Sequence, residues 1–203
     1  MKRILLLLFA LCANMSFAQI IIDDVDNDTR RISTNLDRIR PTPKMNAMDF
    51  SSSLIYNLIT KEEKYKITFF IQSSFSPLWV DEGSVVAIRL LDDEVISYKI
   101  LSKIEDRIGK TKYNAYLKKM ETVYTIGIPI VLTKEQWDKV TTFGWKKLRL
   151  TFCSGGNTTG EPSDYDFTDK KSAEFYTKLS KQRQALEERF KTEHNSDNPL
   201  EGF

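Results

Sequence analysis

The sequence predicts an α+β protein: an antiparallel β-sheet or sandwich of about six strands, with a short capped helix and a C-terminal amphipathic helix. Three observations predict it. Tyr65, Ile67, Phe69 and Ile71 alternate with Lys66, Thr68, Phe70 and Gln72, and similar alternation recurs four times further on. Thr133 and Gln136 stand at capping-box spacing, flanked by Leu132 and Trp137 at the two positions of a hydrophobic staple. Phe175, Leu179, Leu186 and Phe190 recur at spacings of four, seven and four, a helical stripe.

The chain opens with Lys2 and Arg3, an apolar run over residues 4–11, and the small-residue exit Ser16, Phe17, Ala18. That order is the pattern of a secretory signal peptide over residues 1–18, with cleavage between Ala18 and Gln19. The run is short of the roughly 20 residues a permanent transmembrane helix needs, so no integral membrane segment is expected after cleavage. Cys12 raises the alternative of a lipid-bearing cysteine, against which Leu11 is too bulky for the preceding position.

Residues 19–50 read as an N-terminal arm or linker. Ile20, Ile21 and Ile22 suit a short strand, and Asp24, Asp26 and Asp28 have the spacing of the first ligands of a calcium loop. Thr29 stands where that loop needs Gly, and Asn35 where it needs a closing Glu, so a solvated linker is the favoured reading and no metal site is expected. Pro41 and Pro43 mark where the domain proper, residues 51–193, begins.

Within the domain, residues 54–59 and 65–71 flank a polar turn and predict a hairpin. Val86, Ile88 and Leu90, then Ile96, Tyr98 and Ile100 across the acidic turn 92–94, predict a second. Tyr124, Ile126, Ile128 and Ile130 predict a fifth strand, where Pro129 removes a backbone donor and implies an edge or a strand end. The capped helix starts at Lys134 and stops near Phe143 and Gly144, and Leu148, Leu150 and Phe152 give the sixth strand. The final helix spans about 169–192, its outer face of mixed charge favouring docking on the core over a membrane-surface role. Residues 194–203 are a polar tail.

Composition excludes several chemistries. The 30 basic and 28 acidic residues become 28 against 28 once Lys2 and Arg3 leave with the leader, so no global basic field for nucleic acid exists. Cys153 is then the only cysteine, so no intramolecular disulfide is expected, and a packed structural thiol is the favoured reading. The one histidine, His194, lies in the polar tail, which argues against Cys/His and Ser/His/Asp catalysis and against imidazole-based metal sites. No catalytic residue and no cofactor is predicted.

A resemblance rests on the Asp-Glu-Gly turn at 81–83, the paired strands over 85–101, Tyr124-Thr125-Ile126 with Pro129-Ile130, Thr133-Lys134-Glu135-Gln136 and the run from Trp145 through Leu150. Over residues 54–190 the chain resembles a group of small exported β-rich proteins of unknown function from Bacteroidetes. It departs from them in a longer basic insertion, residues 103–121, and an extended N-terminal arm. The resemblance implies a periplasmic or cell-surface location and implies no activity.

Three surfaces are candidates for function. The loop 73–80 carries Phe75 and Trp79, aromatics able to stack on sugar rings or fill a partner's pocket; its alternative is a loop folded back to plug the sheet. The insertion 103–121 interleaves lysines, among them Lys112, with Tyr113 and Tyr116, a pattern suited to polyanions such as lipopolysaccharide or acidic glycans, though a solvated, half-helical flap is favoured. The loop 154–166 carries Asn157, Glu161, Asp164 and Asp166 and reads as a polar connection. The expected role is a non-catalytic binding or accessory module of the cell envelope, with a glycan or protein partner. A glycan hydrolase using two of Asp81, Glu82, Glu161, Asp164 and Asp166, or a structural subunit of an envelope assembly, is the alternative.

Overall fold

The computed structural model describes residues 20–41, 48–155 and 160–194. The leader with Cys12, Pro43, Asn157 and the tail after His194 fall outside them. The α+β class holds: two antiparallel sheets and two helices enclose one core.

The first sheet has the order β1 (Ile20–Asp26), β2 (Thr29–Thr34), β4 (Met48–Asn57), β5 (Glu63–Ser73), β11 (Lys119–Leu132), β10 (Lys110–Asn114), with β3 (Asp37–Ile39) also on β4. Its register explains its buried face. Phe50, Phe69 and Ile128 lie in one row across β4, β5 and β11, and Leu54, Tyr65 and Leu132 in another, so the period-two residues of three strands meet on one side. The turn of the β4–β5 hairpin closes on Asn57, whose Oδ1 accepts from the N–H groups of Ile59 and Thr60. Among the described residues no strand pairs with β11 beyond Val123 on the side away from β5, so Pro129 occupies an edge, where its missing donor is tolerated.

The second sheet has the order β8 (Val95–Lys99), β7 (Val85–Leu90), β12 (Trp145–Ser154), β6 (Leu78–Val80), β9 (Ile104–Asp106), with β13 (Glu161–Asp166) also on β12. All six expected strands are present, and seven shorter or more polar ones join them. Three expectations are corrected. The arm before residue 51 is no linker: β2 pairs with β4, and Ile32 is fully buried opposite Leu54. Asp24, Asp26 and Asp28 are exposed along this β1–β2 hairpin, where extended backbone replaces the coil of a calcium loop. The insertion is no half-helical flap: it forms β9, β10 and the start of β11. The loop 154–166 is strand from Glu161 onward, with Tyr165 buried and pushed up to about 12 by loss of solvent.

Helix α1 (Lys134–Thr142) starts where its cap predicts. The N–H of Gln136 donates to Thr133 Oγ1 at 3.2 Å, and the Thr133 N–H donates to Gln136 Oε1 at 3.0 Å. Leu132 and Trp137 are both buried, and Trp137 stacks on Tyr65 at 5.1 Å. Thr133→Ala is expected to cost about 1 kcal/mol in urea unfolding, with Thr133→Ser near neutral; an alanine variant as stable as the parent would show that packing alone holds this helix.

Helix α2 (Asp169–His194) covers β2, β3 and β4 and reaches β12. Phe175, Leu179 and Leu186 are buried as the stripe requires. The gap in that stripe is Gln182, fully buried, which accepts from Ser52 Oγ at 2.6 Å and donates to Asp37 Oδ2 at 2.7 Å. A polar group in a core must find such partners, and these tie the helix to β3 and β4. Among the described residues no helix is long and apolar enough to cross a membrane.

Candidate functional site

The five residues expected to bind a ligand separate into three places. Phe75, Lys112 and Tyr113 line one groove of about 560 Å³. Trp79 does not reach it: it sits in β6, half-buried, paired with Cys153 and Glu105, while its neighbours Leu78 and Val80 are buried. The segment 73–80 therefore divides: β6 joins the second sheet as a strand, and Phe75 before it is 98 % exposed. Tyr116 is at the tip of the β10–β11 hairpin, outside the groove lining.

The groove crosses the outer face of β11 at Glu121 and Val123. The end of β5 and the loop at residues 72–75 form one wall, and β10 with its turn, residues 112–115, forms the other. Local chemistry fixes both walls. Ser73 Oγ accepts from the N–H groups of Phe75 and Ser76 at 3.2 and 3.3 Å, which turns the chain sharply and leaves the Phe75 ring outside. Asn114 Oδ1 accepts from the N–H groups of Tyr116 and Leu117, and Asn114 Nδ2 donates to Glu121 Oε2 at 2.7 Å.

Asp106 anchors the hairpin to the body of the protein. Its carboxylate accepts from the Thr125 N–H at 2.8 Å and the Gly109 N–H at 2.9 Å, and these donors hold its pKa below the usual carboxylate range. Gly109 has φ +69°, and a Cβ there would meet Thr122 Cγ2 at 2.5 Å, so only glycine fits this turn.

An exposed aromatic ring, an ammonium group, an amide and a carboxylate thus face a shared open space. That set can stack on a sugar ring and exchange hydrogen bonds with its hydroxyls. Sequence reasoning missed Gln72, Asn114, Glu121 and Val123 as lining residues. The signal for Asn114 and Glu121 was available: alternation in 110–114 and 119–123 around a four-residue turn places them on one face of a hairpin.

Three of the five carboxylates of the hydrolase reading, Asp81, Asp164 and Asp166, have partners of their own. Asp164 accepts from Arg149 Nε and Nη2 at 2.6 and 2.8 Å, with Lys147 at 3.4 Å; these cations hold its pKa down to about 2. A carboxyl ionised at every physiological pH cannot supply the proton that glycosidic cleavage requires. Asp166 pairs with the same Lys147 at 3.3 Å, and Asp81 lies 3.7 Å from the Cys153 thiol. Cys153 is buried, and burial, reinforced by Asp81, pushes its thiol up, the state of an unreactive packed cysteine. Among the described residues no three His, Cys, Asp or Glu side chains gather as a metal site. No family model, curated protein or solved structure matches this chain.

Proposed function

We propose that this chain is an exported, non-catalytic binding module of the cell envelope whose groove takes a saccharide of an envelope glycan. The leader pattern of residues 1–18 supports export, and the resemblance to small exported Bacteroidetes proteins agrees with it. The observation that carries the binding reading is convergence: Phe75 and the Lys112–Tyr113 pair, far apart in the chain and each marked as ligand-binding from sequence, line one groove.

The test is thermal unfolding of residues 19–203 with and without soluble peptidoglycan fragments and acidic polysaccharides. A glycan that binds only the folded state stabilises it by about 2.7 kcal/mol at a hundredfold excess over its Kd. A rise in midpoint with one glycan class is expected, abolished in Phe75→Ala and weakened in Lys112→Ala. Both side chains are exposed, so the unliganded midpoint should hold. No rise with any glycan, or a rise that Phe75→Ala leaves intact, would remove the groove from this role.

A further inference from the structure

The tip of the β10–β11 hairpin, at Tyr116, Leu117 and Lys118, lies outside the groove lining. By register Lys110 and Lys112 stand opposite Val123 and Glu121 on the groove side. Tyr113, which also lines the groove, stands opposite Met120, and these two are 62 % and 61 % exposed. At the tip Tyr116 is 92 % exposed, with Leu117 half-exposed beside it. The tip is built to present them: the two N–H groups bound by Asn114 Oδ1 are those of Tyr116 and Leu117, and Lys118 closes the turn at φ +51°. Four large apolar side chains therefore project from a fixed ribbon that has no packing partner among the described residues.

Charge around them is net basic. Residues 103–121 hold six basic side chains against Glu105, Asp106 and Glu121, and Lys119 pairs with Glu121 at 3.7 Å. Glu105 pairs with Lys103 and Arg107, whereas Lys112 and Lys118 form no ion pair among the described residues, and both are exposed. Apolar and tyrosine side chains at a rigid tip, ringed by free lysines, match an anionic bilayer surface: the tip enters the acyl boundary, tyrosine hydroxyls stay at the headgroups, and lysines meet phosphates.

We propose that the tip of the β10–β11 hairpin docks this protein onto anionic phospholipid surfaces, with Tyr116 and Leu117 inserted and Lys118 on the phosphates. The surface shares Tyr113 with the saccharide groove, but Tyr116 and Leu117 lie outside the groove lining, so substitutions there test the tip alone.

Co-sedimentation of residues 19–203 with phosphatidylcholine vesicles, with and without phosphatidylglycerol, tests it; this piece holds every described element and lacks the apolar leader, which would bind lipid itself. Binding to the anionic vesicles alone is expected, weakened by salt. Lys118→Gln should lower affinity about fivefold. Tyr116→Ser with Leu117→Ser should lower it at least about tenfold with the unfolding midpoint unchanged, and Phe75→Ala should leave it intact. Equal binding to neutral vesicles, binding indifferent to the tip substitutions, or self-association through the tip without vesicle binding would overturn the proposal.

Discussion

Phe175→Ala is expected to destabilise the protein by about 3–5 kcal/mol, the range for emptying a large aromatic site in a core. Its ring meets Phe50 of β4 at 4.8 Å, Trp145 of β12 at 4.5 Å and Phe167 at 5.5 Å, so one side chain of α2 touches both sheets. Phe69 adds a direct bridge between the sheets by packing edge-on against Trp145 at 6.0 Å. Edge-to-face pairs add to simple burial, and removing Phe175 deletes two of them at once. In a chain of this size the loss should lower the melting midpoint by roughly 10 °C. Phe175→Leu, which keeps most of the apolar volume, should cost about 1 kcal/mol. The near-ultraviolet dichroism of the alanine variant should also change, because Trp145 loses its nearest ring. A loss below about 1 kcal/mol for Phe175→Ala would mean that the helix rests on the sheets without joining them.

The contrast between α2 and the N-terminal strands shows which parts of the fold sequence can reveal. Phe175, Leu179 and Leu186 are legible because an apolar stripe at helical spacing has one common cause, burial on one side. Residues 65–71 are legible for the same reason at a period of two. In β2 the inward positions are Arg30, Ile32 and Thr34, two of three polar. Arg30 is buried through its carboxylate partner, and Thr34 through an N–H donated by Ser52 at 3.0 Å, so hydrophobic patterning passes over the strand. β13 hides likewise: Tyr165 is its only buried side chain with a described surface, and the pairs of Asp164 stabilise the rest. Gln182 reads as a break in the stripe because its partners, Ser52 and Asp37, come from strands distant in sequence. The candidate groove was half legible. Residue types marked Phe75, Lys112 and Tyr113, but only the pairing of β10 on β11 beside the end of β5 shows that they share a space. Trp79 misled because an aromatic in a loop and one in a three-residue strand look alike, although Leu78 and Val80 on either side already had the period of two.

The other large effect lies at the far end of α2. Asp23 of β1 accepts from Arg30 Nε and Nη2 at 3.0 and 2.9 Å, and from Arg189 Nε of the helix at 2.7 Å. The Arg30 guanidinium also lies 5.8 Å from the centre of the Phe190 ring, which packs edge-on against Tyr56 at 5.0 Å. One carboxylate thus joins the β1–β2 hairpin to the last turns of α2. Arg30 and Asp23 side chains are only 7 % and 12 % exposed, so solvent screens this pair weakly. Asp23→Ala removes three charge-assisted bonds beside a buried guanidinium, and about 3 kcal/mol of stability at neutral pH should go with them. The Arg30 hydrogen bonds, first, hold the Asp23 carboxyl below its ordinary value of 3.8 against the opposing effect of burial. A carboxyl whose folded pKa is depressed contributes stability that is fully present above its unfolded pKa and is lost as pH falls through the folded one. The stability gap between the parent and Asp23→Ala should therefore be constant from neutral pH down to about 5, and should narrow below about 4. Urea unfolding of both proteins across that range measures it, and the difference between them cancels the shared titration of Asp164 and the other carboxylates. A gap that stays constant to pH 2 would show that Asp23 joins β1 to α2 by shape and packing, with its charge contributing nothing.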